Sequence, residues 1–466
     1  MEPHSAHRIL TLLAAFLLLA PDSALPSPPG DATESAKPAD PTSELLGPRR
    51  AWLNPENGRP FFPRGWFEWG QASLEDAKAS LDLMAQEDAN MVISVASWAD
   101  TADDATAQKS RELTKAYLDH AQRRGLKILI AVHWGDDFER NDQAAIARAK
   151  AWVEAVRGHP ALLGYQTYDE PEGGPPKEAA AKTATSWVES FVKMHAAIRL
   201  WDPNPNHMVQ MVFNIVPQEG ISAIDWRLFL PAIDSFQIDR YGVNRQFPYF
   251  AHGNNVGGIW GPLRSAWQIA HGVSAIEQTS HRNPATVLQG VGLNFNQSGF
   301  HWRDPLYDET RYMAYASLTA GGWGVLHWIH NVSPPPIRQN VARLYRELGQ
   351  LSPALECSWE KPPFAIEHSH AGITRDWLKD KVPDISTLAL EDDKHYYLIA
   401  VDNTAVFENV SFRMKLPNIA DPKPRLATVL NEGWSREVKY EAETGQWVIP
   451  EHTMCFGDVN VWVIPK

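Results

Sequence analysis

Two adjacent carboxylates, Asp169 and Glu170, stand at the end of an apolar run and directly before Pro171. The run at 162–168 is too short for a helix and predicts a buried strand. Proline lacks a backbone N–H and ends the strand, so both acids are expected where strand turns into loop. In a parallel α/β barrel, catalytic groups lie at that edge. A proton donor and a second carboxylate there are what cleavage of a glycosidic bond requires.

Alternating strand and helix signals surround this couplet and predict the frame that positions it. Ser73 is expected to cap a helix that carries apolar residues at helical spacing. Further helices are predicted at 111–124, 142–156, 177–199, 263–271, 309–319 and 337–348. Besides 162–168, strands are predicted up to Glu68 and at 91–96, 126–132, 207–213, 233–238, 285–291 and 324–329. Eight strands, each followed by a helix or a long loop, predict a closed (β/α)8 TIM barrel, an α/β fold.

The pattern changes after Pro353. Short β-rich runs at 395–401, 410–416, 425–430 and 459–464, separated by turns, predict a small C-terminal β-sandwich. The predicted organisation is therefore a signal peptide at 1–26, a disordered linker at 27–50, a barrel at 51–352 and the sandwich at 353–466.

The N-terminus predicts export. An apolar run of twelve residues at 9–20 follows Arg8 and is too short to span a bilayer, which is typical of a secretory signal. The protein is therefore expected to be secreted or periplasmic. The two cysteines, Cys357 and Cys455, could form a disulfide in such a compartment or remain two buried thiols.

Charge and composition restrict the classes of partner that are expected. A net charge of −13 argues against nucleic acid and anionic membrane, because both require basic patches. The 19 tryptophans favour a ligand with flat apolar faces, such as a sugar ring. The sequence contains no glycine-rich phosphate loop and no CxxC pair, so no cofactor and no metal are predicted.

Polar and aromatic residues fall at the predicted carboxyl ends of several strands, where a barrel assembles its site. Aromatic planes would hold sugar rings, and short polar groups would take the hydroxyls. The predicted catalytic residues are Glu170, Asp239 and Asp169. The predicted substrate-binding residues are Glu68, Trp98, His133, Trp134, Asp136, Asn214, Tyr241, Gln289, Trp302 and Trp328.

Three segments, at 57–65, 159–171 and 309–322, resemble (β/α)8-barrel glycoside hydrolases, most closely the clan of retaining β-glycosidases. The fourth strand of that clan ends in Asn-Glu-Pro, with Glu as acid/base and Asn holding the sugar 2-hydroxyl. The resemblance implies that Glu170 is the acid/base and that Asp169 occupies the Asn position, where its carboxylate accepts the hydroxyl. Two neighbouring carboxylates are expected to raise the pKa of one of them.

The seventh strand departs from the clan, because Gln289 stands where the nucleophilic Glu is expected. A second carboxylate could come from elsewhere, with Asp239 the first choice, followed by Glu68 and Asp136. Alternatively, the enzyme could invert configuration with a more distant base, or the barrel could bind sugar without cleaving it. A metal-dependent hydrolase is a further alternative, although no HExxH or facial-triad spacing is present around His133.

Overall fold

The computed structural model describes residues 52–68, 73–94, 102–174, 183–213, 224–241, 285–290, 304–358, 362–370, 383–403, 407–419, 421–455 and 457–466. Within these ranges an eight-stranded parallel barrel is followed by a separate antiparallel sheet, which confirms the predicted fold class. The predicted signal peptide, the linker and the predicted helix at 263–271 lie outside these ranges. No helix of the described part has the length and apolar character to cross a membrane.

The barrel closes because each strand pairs in parallel with the next and β8 pairs with β1. Parallel strands buried on both faces are expected to be continuously apolar, and β2, with the sequence MVIS, is buried throughout. The strands are β1 (Arg64–Glu68), β2 (Met91–Ser94), β3 (Lys127–Ala131), β4 (Leu162–Asp169), β5 (Met208–Phe213), β6 (Ser235–Arg240), β7 (Ala285–Gln289) and β8 (Val325–Trp328).

Helices cover the outside of the barrel, and several of them have a side-chain cap at the N-terminus. The Ser73 side chain accepts the N–H of Asp76, as the sequence predicts, and Asp142 caps the N–H groups of Ala144 and Ala145. The described α-helices are α1 (Leu74–Gln86), α2 (Asp104–Arg123), α3 (Gly135–Arg140), α4 (Gln143–Val156), α5 (Ala184–Trp201), α6 (Tyr307–Thr319) and α7 (Pro335–Cys357). Within the described residues, 3-10 turns span Pro171–Gly173, Trp226–Ala232 and His330–Val332.

The helix α7 extends beyond the predicted end at residue 348 and contains Pro353. Its apolar stripe continues through Leu351, Ala354 and Leu355, which are all buried. Burial of that stripe outweighs the local preference of proline to end a helix.

The C-terminal part is an eight-stranded antiparallel sheet with its own core, consistent with a β-sandwich. Its strand order is β10-β11-β16-β13-β14-β15-β12-β9. The strands are β9 (Ile366–His368), β10 (Ile385–Glu391), β11 (His395–Asp402), β12 (Glu408–Met414), β13 (Arg425–Val429), β14 (Ser435–Glu441), β15 (Gln446–Met454) and β16 (Val459–Pro465).

Arg311 of α6 connects the barrel to this sheet through an ion pair and a hydrogen bond. Its guanidinium lies 2.9 Å from the Glu347 carboxylate of α7 and donates to the backbone oxygen of Val459 at 2.7 Å. Nearby, the Tyr312 hydroxyl donates to Asn403 Oδ1 at 2.9 Å. The hydrophobic core of the barrel also continues into β11 and β16. The two parts therefore share a packed and hydrogen-bonded boundary.

Both cysteines are free thiols, so the disulfide alternative is not realised. Cys357 is exposed, and the Cys455 thiol lies 3.2 Å from Asp458 Oδ2. Burial, together with the neighbouring Asp458 carboxylate, raises the pKa of Cys455 to about 11.

Candidate active site

The Asp169–Glu170 couplet lies on a turn that is held from two sides. The backbone N–H of Glu170 donates to Val212 on β5 at 2.9 Å. The Trp187 indole of α5 donates to the Pro171 oxygen at 3.1 Å. Glu170 itself has a left-handed backbone, with φ of 53°, which is uncommon for a residue other than glycine. The backbone bends at Glu170, so the two adjacent carboxylates are not forced to opposite faces by strand alternation.

The strand β6 presents Asp239 toward the interior of the barrel. Phe236 packs outside the barrel, 5.6 Å from Trp226 between ring centroids. Strand alternation therefore turns Asp239, three residues later, to the opposite and inward face. Asp239 is only 5% exposed.

Three carboxylates lie close to the Tyr241 phenol. Its pKa lies well above the ordinary value because dense surrounding protein desolvates the phenol and because Asp239, Asp169 and Glu170 place negative charge beside it. Its hydroxyl is also hydrogen-bonded to Asp239. The two acids at the end of β4 and one acid of β6 therefore lie near each other at this end of the barrel.

The pKa of Asp169 is raised in the folded protein. Burial, followed by the charge of Glu170, raises the pKa of Asp169 to about 7. The side chain is nevertheless exposed to solvent. A carboxyl that is surrounded by protein and still open to water is expected on the wall of a concave site. Asp169 can therefore carry a proton near neutral pH.

An aromatic pair lines the same end of the barrel. The Tyr241 and Trp328 rings stack with centroids 5.5 Å apart and planes inclined by 24°. Trp328 is 5% exposed, whereas Tyr241 is partly exposed. Tyr241 is therefore the ring of the pair that is more open to a ligand.

The segment after β3 contributes His133 and, in the first turn of α3, Asp136, and both side chains are exposed. Dense protein around His133 lowers the pKa of its imidazole, which favours the neutral ring. Asp136 shares an environment with Asp169: after burial, these two charges are what raise the pKa of Tyr168 to about 12. Both residues are placed where they can contact a ligand beside the couplet.

Two predicted site residues lie in the packed layer between the strands and the helices. Glu68 is fully buried and accepts a hydrogen bond from the Tyr117 hydroxyl of α2, in the layer between strands and helices. Trp134 is 2% exposed and packs edge-on against Trp152 of α4, at 5.6 Å. Neither side chain is available to a ligand, because strand and loop geometry turn both toward the helices.

Four predicted residues are not tested. Trp98, Asn214 and Trp302 lie outside the described residues. For Gln289 only the backbone is described: it ends β7 and pairs with Trp328 at the end of β8.

Sequence reasoning missed three buried glutamines on consecutive strands, Gln166, Gln210 and Gln237. The clearest signal in the sequence is Gln210, which interrupts the otherwise apolar strand MVQMVF. In the described ranges, no three His, Cys, Asp or Glu side chains are grouped in a way that could hold a metal ion.

The family model "Cellulase (glycosyl hydrolase family 5)" matches residues 55–221, just over a third of the chain. The matched part runs from before β1 to beyond β5 and includes the Asp169–Glu170 couplet. No curated protein matches the chain in sequence.

Solved glycoside hydrolase structures are similar in fold. A family 42 β-galactosidase from G. stearothermophilus has a TM-score of 0.53 at 8% identity, covering 87% of this chain and 98% of that one. An exo-β-1,4-mannosidase from Opitutaceae bacterium strain TAV5 has a TM-score of 0.48 at 18% identity, covering 65% and 62%. A family 39 glycoside hydrolase from Bacteroides cellulosilyticus WH2 has 0.49 at 12%, covering 90% and 83%.

This chain thus spans less than two thirds of the mannosidase. At these identities the structural likeness establishes the fold alone. The match to the family 5 model supports a glycosidase, and it confirms the predicted resemblance to (β/α)8-barrel glycoside hydrolases for residues 55–221.

Proposed function

We propose that this protein is a glycosidase that cleaves O-glycosidic bonds of a poly- or oligosaccharide at the Asp169, Glu170 and Asp239 carboxylates. The observation that carries the proposal is the convergence of these three acids on Tyr241, at the carboxyl end of a closed barrel. Glycoside hydrolysis needs one protonated and one ionised carboxyl on either side of the bond. The family 5 match over β1 to β5 adds independent support.

The Asp169–Glu170 couplet supplies the proton. Near neutral pH the couplet holds one proton, which burial and the charge of Glu170 draw to Asp169. Glu170 takes up this proton and donates it to the leaving oxygen. Above about pH 7 Asp169 ionises. The added negative charge of the couplet then disfavours the alkoxide that forms as the leaving group departs. Activity is therefore expected to fall on the alkaline side.

Asp239 is the second carboxylate. Asp239 lies on β6, which pairs with β7, so this acid is close to Gln289 at the end of β7. The Tyr241 hydroxyl holds Asp239 by a hydrogen bond and favours its ionised form. Tyr241 is not the nucleophile, because burial and three carboxylates keep its pKa well above the ordinary value and its phenol protonated.

The expected substrate class follows from the site and from similarity. Tyr241 offers a ring face, and His133 and Asp136 offer hydrogen-bonding groups beside the couplet. The family model is described as a cellulase, and one protein of similar fold is described as a β-galactosidase. We therefore expect a β-linked neutral hexose, and β-glucan and β-galactoside substrates form the first panel to assay.

The decisive variants are Glu170→Gln and Asp239→Asn, assayed for hydrolysis and, separately, for oligosaccharide affinity by calorimetry. Each should lower kcat by about 10³-fold or more while the dissociation constant stays within a few fold. Glu189→Gln and Asp393→Asn, at exposed positions, are matched controls and should keep full activity.

An active Asp239→Asn variant would remove Asp239 from the mechanism. A wild-type protein that binds oligosaccharides but hydrolyses none of the panel would replace the enzyme with a carbohydrate-binding barrel. Hydrolysis that stops with a chelator would instead require a metal. Proton NMR of the first anomer released distinguishes a nucleophilic Asp239, which retains configuration, from a general base, which inverts it.

We also infer export, from the apolar run at 9–20 and its short flanks. Fusion of residues 1–50 to alkaline phosphatase in a bacterial host tests this proposal. Active phosphatase outside the cytoplasm and a new N-terminus near residue 26 would support it. Retention of the uncut fusion in the cytoplasm would refute it.

A further inference from the structure

The interior of the barrel is polar below the carboxylates of β4 to β6. Barrel interiors are usually filled by Val, Ile and Leu. Here the polar inward-facing side chains on three consecutive strands are Gln166, Gln210, Ser235 and Gln237, which we call the amide belt. The other inward-facing positions are mainly apolar and include Phe67, Ile93, Leu129, Val287 and Leu326.

Strand alternation fixes the inward direction of the amide belt. On β4, the Tyr165 hydroxyl donates outward to Asp202 at 2.6 Å, so Gln166 faces inward. On β5 and β6, Phe213 and Phe236 pack on each other outside the barrel, with ring centroids 5.3 Å apart. Gln210 lies three residues before Phe213, and Ser235 and Gln237 each lie one residue from Phe236. These three side chains therefore face inward.

The strand register makes the amide belt continuous. Gln166 pairs with Gln210, and Gln210 pairs with Ser235, so these three lie side by side on adjacent strands about 4.8 Å apart. Gln237 lies one layer higher, two residues before Asp239 on the same face of β6. The amide belt thus ends directly beneath the second carboxylate.

Most polar atoms of the amide belt have no hydrogen-bond partner among the residues that the structure describes. None of the four residues is more than 2% exposed. Among the residues that the structure describes, six of their buried atoms have no hydrogen-bond partner: Gln166 Oε1, Gln210 Oε1 and Nε2, Ser235 Oγ, and Gln237 Oε1 and Nε2. Buried polar groups in native proteins are almost always hydrogen-bonded, and leaving six unpaired would consume much of the stability of a domain.

Water meets the requirement of this cluster. An internal water needs two to four polar partners, and adjacent amides and a hydroxyl supply both donors and acceptors within one small region. A direct amide–amide bond could join neighbours such as Gln166 and Gln210, but it would use only part of the capacity of each side chain.

We propose that the amide belt binds a cluster of ordered waters inside the barrel and that these waters hydrate Asp239 from below. Gln210 and Gln237 are then positioning residues for the second carboxylate. Their waters donate hydrogen bonds that favour the ionised form of Asp239. The catalytic consequence rests on the proposed glycosidase function, whereas the water cluster itself does not.

The water cluster is tested by counting long-lived internal waters with ¹⁷O magnetic relaxation dispersion. The variants are Gln210→Met and Gln237→Met, which keep side-chain length and remove the amide. Leu326→Met, on the apolar side of the same interior, is the matched control. Each glutamine variant should lose at least one long-lived water, and the control should lose none.

An unchanged water count in both folded glutamine variants overturns the proposal. Should a methionine variant not fold, a high-resolution crystal structure of the wild-type protein decides. Density within hydrogen-bonding distance of the Gln210 and Gln237 amides supports the water cluster, and a dry belt with mutually bonded amides refutes it.

The positioning role is tested without a substrate. ¹³C NMR titration of aspartate-labelled protein, assigned with Asp239→Asn, measures the Asp239 carboxyl directly. Gln237→Met should raise its pKa by about one unit, because the ionised form loses hydrogen bonds. In an active enzyme kcat should also fall about tenfold with KM nearly constant. An unmoved titration refutes the positioning role, whereas absent hydrolysis with a moved titration refutes only the glycosidase proposal.

Discussion

Replacing Asp169 by asparagine should make the protein more stable at pH 8 and leave its stability at pH 4 nearly unchanged. The pKa of Asp169 rises from 3.8 to about 7 on folding, through burial and the charge of Glu170. Between these two pH values the folded protein keeps a proton that the unfolded chain has released. The free energy of unfolding therefore decreases as pH rises from about 4 to 7 and then levels off. The asparagine side chain does not titrate, so the variant should lack this decrease.

The size of the effect follows from the pKa change and the exposure of the side chain. A rise to about 7 corresponds to at most about 4 kcal/mol of destabilisation above pH 7. Asp169 is open to solvent, however, and water screens both the desolvation and the repulsion. We therefore expect Asp169→Asn to gain about 1–2 kcal/mol at pH 8 relative to its effect at pH 4.

Urea unfolding at pH 4 and pH 8, for wild-type protein and variant, measures this difference directly. Glu170→Gln removes the repelling charge and should recover part of the same gain, while the pair of substitutions together should gain less than the sum. Asp393→Asn, at an exposed turn, is the control and should show no such pH dependence. An Asp169→Asn variant that is no more stable at pH 8 than at pH 4, relative to wild type, would refute the raised pKa.

Three further predictions concern contacts that the structure defines. Tyr117→Phe removes a donor from buried Glu68 and should lower the free energy of unfolding by about 1.5–3 kcal/mol in urea titration, whereas a loss below about 0.5 kcal/mol would contradict the contact. Tyr241→Phe should lower kcat about tenfold and move the acidic limb of the pH–rate profile upward, because Asp239 loses a donor to its charged form; an unmoved limb would contradict this. Arg311→Met leaves the buried Glu347 carboxylate with two tyrosine donors but without its cation, and should cost about 3–5 kcal/mol, measured by thermal unfolding; an unchanged Tm would contradict the ion pair.

The arrangement around the couplet shows how far a linear pattern can determine a site. The apolar run that ends in Asp169-Glu170-Pro171 fixes a strand end, since the period of the run, its length and the following proline are all local properties. The order of strands and helices likewise restricts the fold to a barrel, because parallel strands need helical crossovers. These features were predictable without tertiary structure.

Which side of a strand each residue faces was not predictable in the same way. In strands buried on both faces, inward and outward positions are both apolar, so the sequence does not mark the interior. Glu68 was expected in the site and is instead buried beneath Tyr117. Trp134 follows the end of β3 and is likewise directed to the helices, where it packs against Trp152. A shift of one residue along a strand turns each side chain to the opposite face, so a side chain expected to contact a ligand packs in the core instead.

The sequence by itself determined the barrel, the C-terminal sheet and the position of the acidic couplet at a strand end, because each depends on periodicity and on turn residues close in the chain. Only the tertiary structure decided that Asp239 and Tyr241 meet the couplet, that the pKa of Asp169 is raised, and that the glutamines of three strands form one belt. Those facts depend on strand register, burial and charge at residues about 70 positions apart in sequence, and none of these is encoded locally.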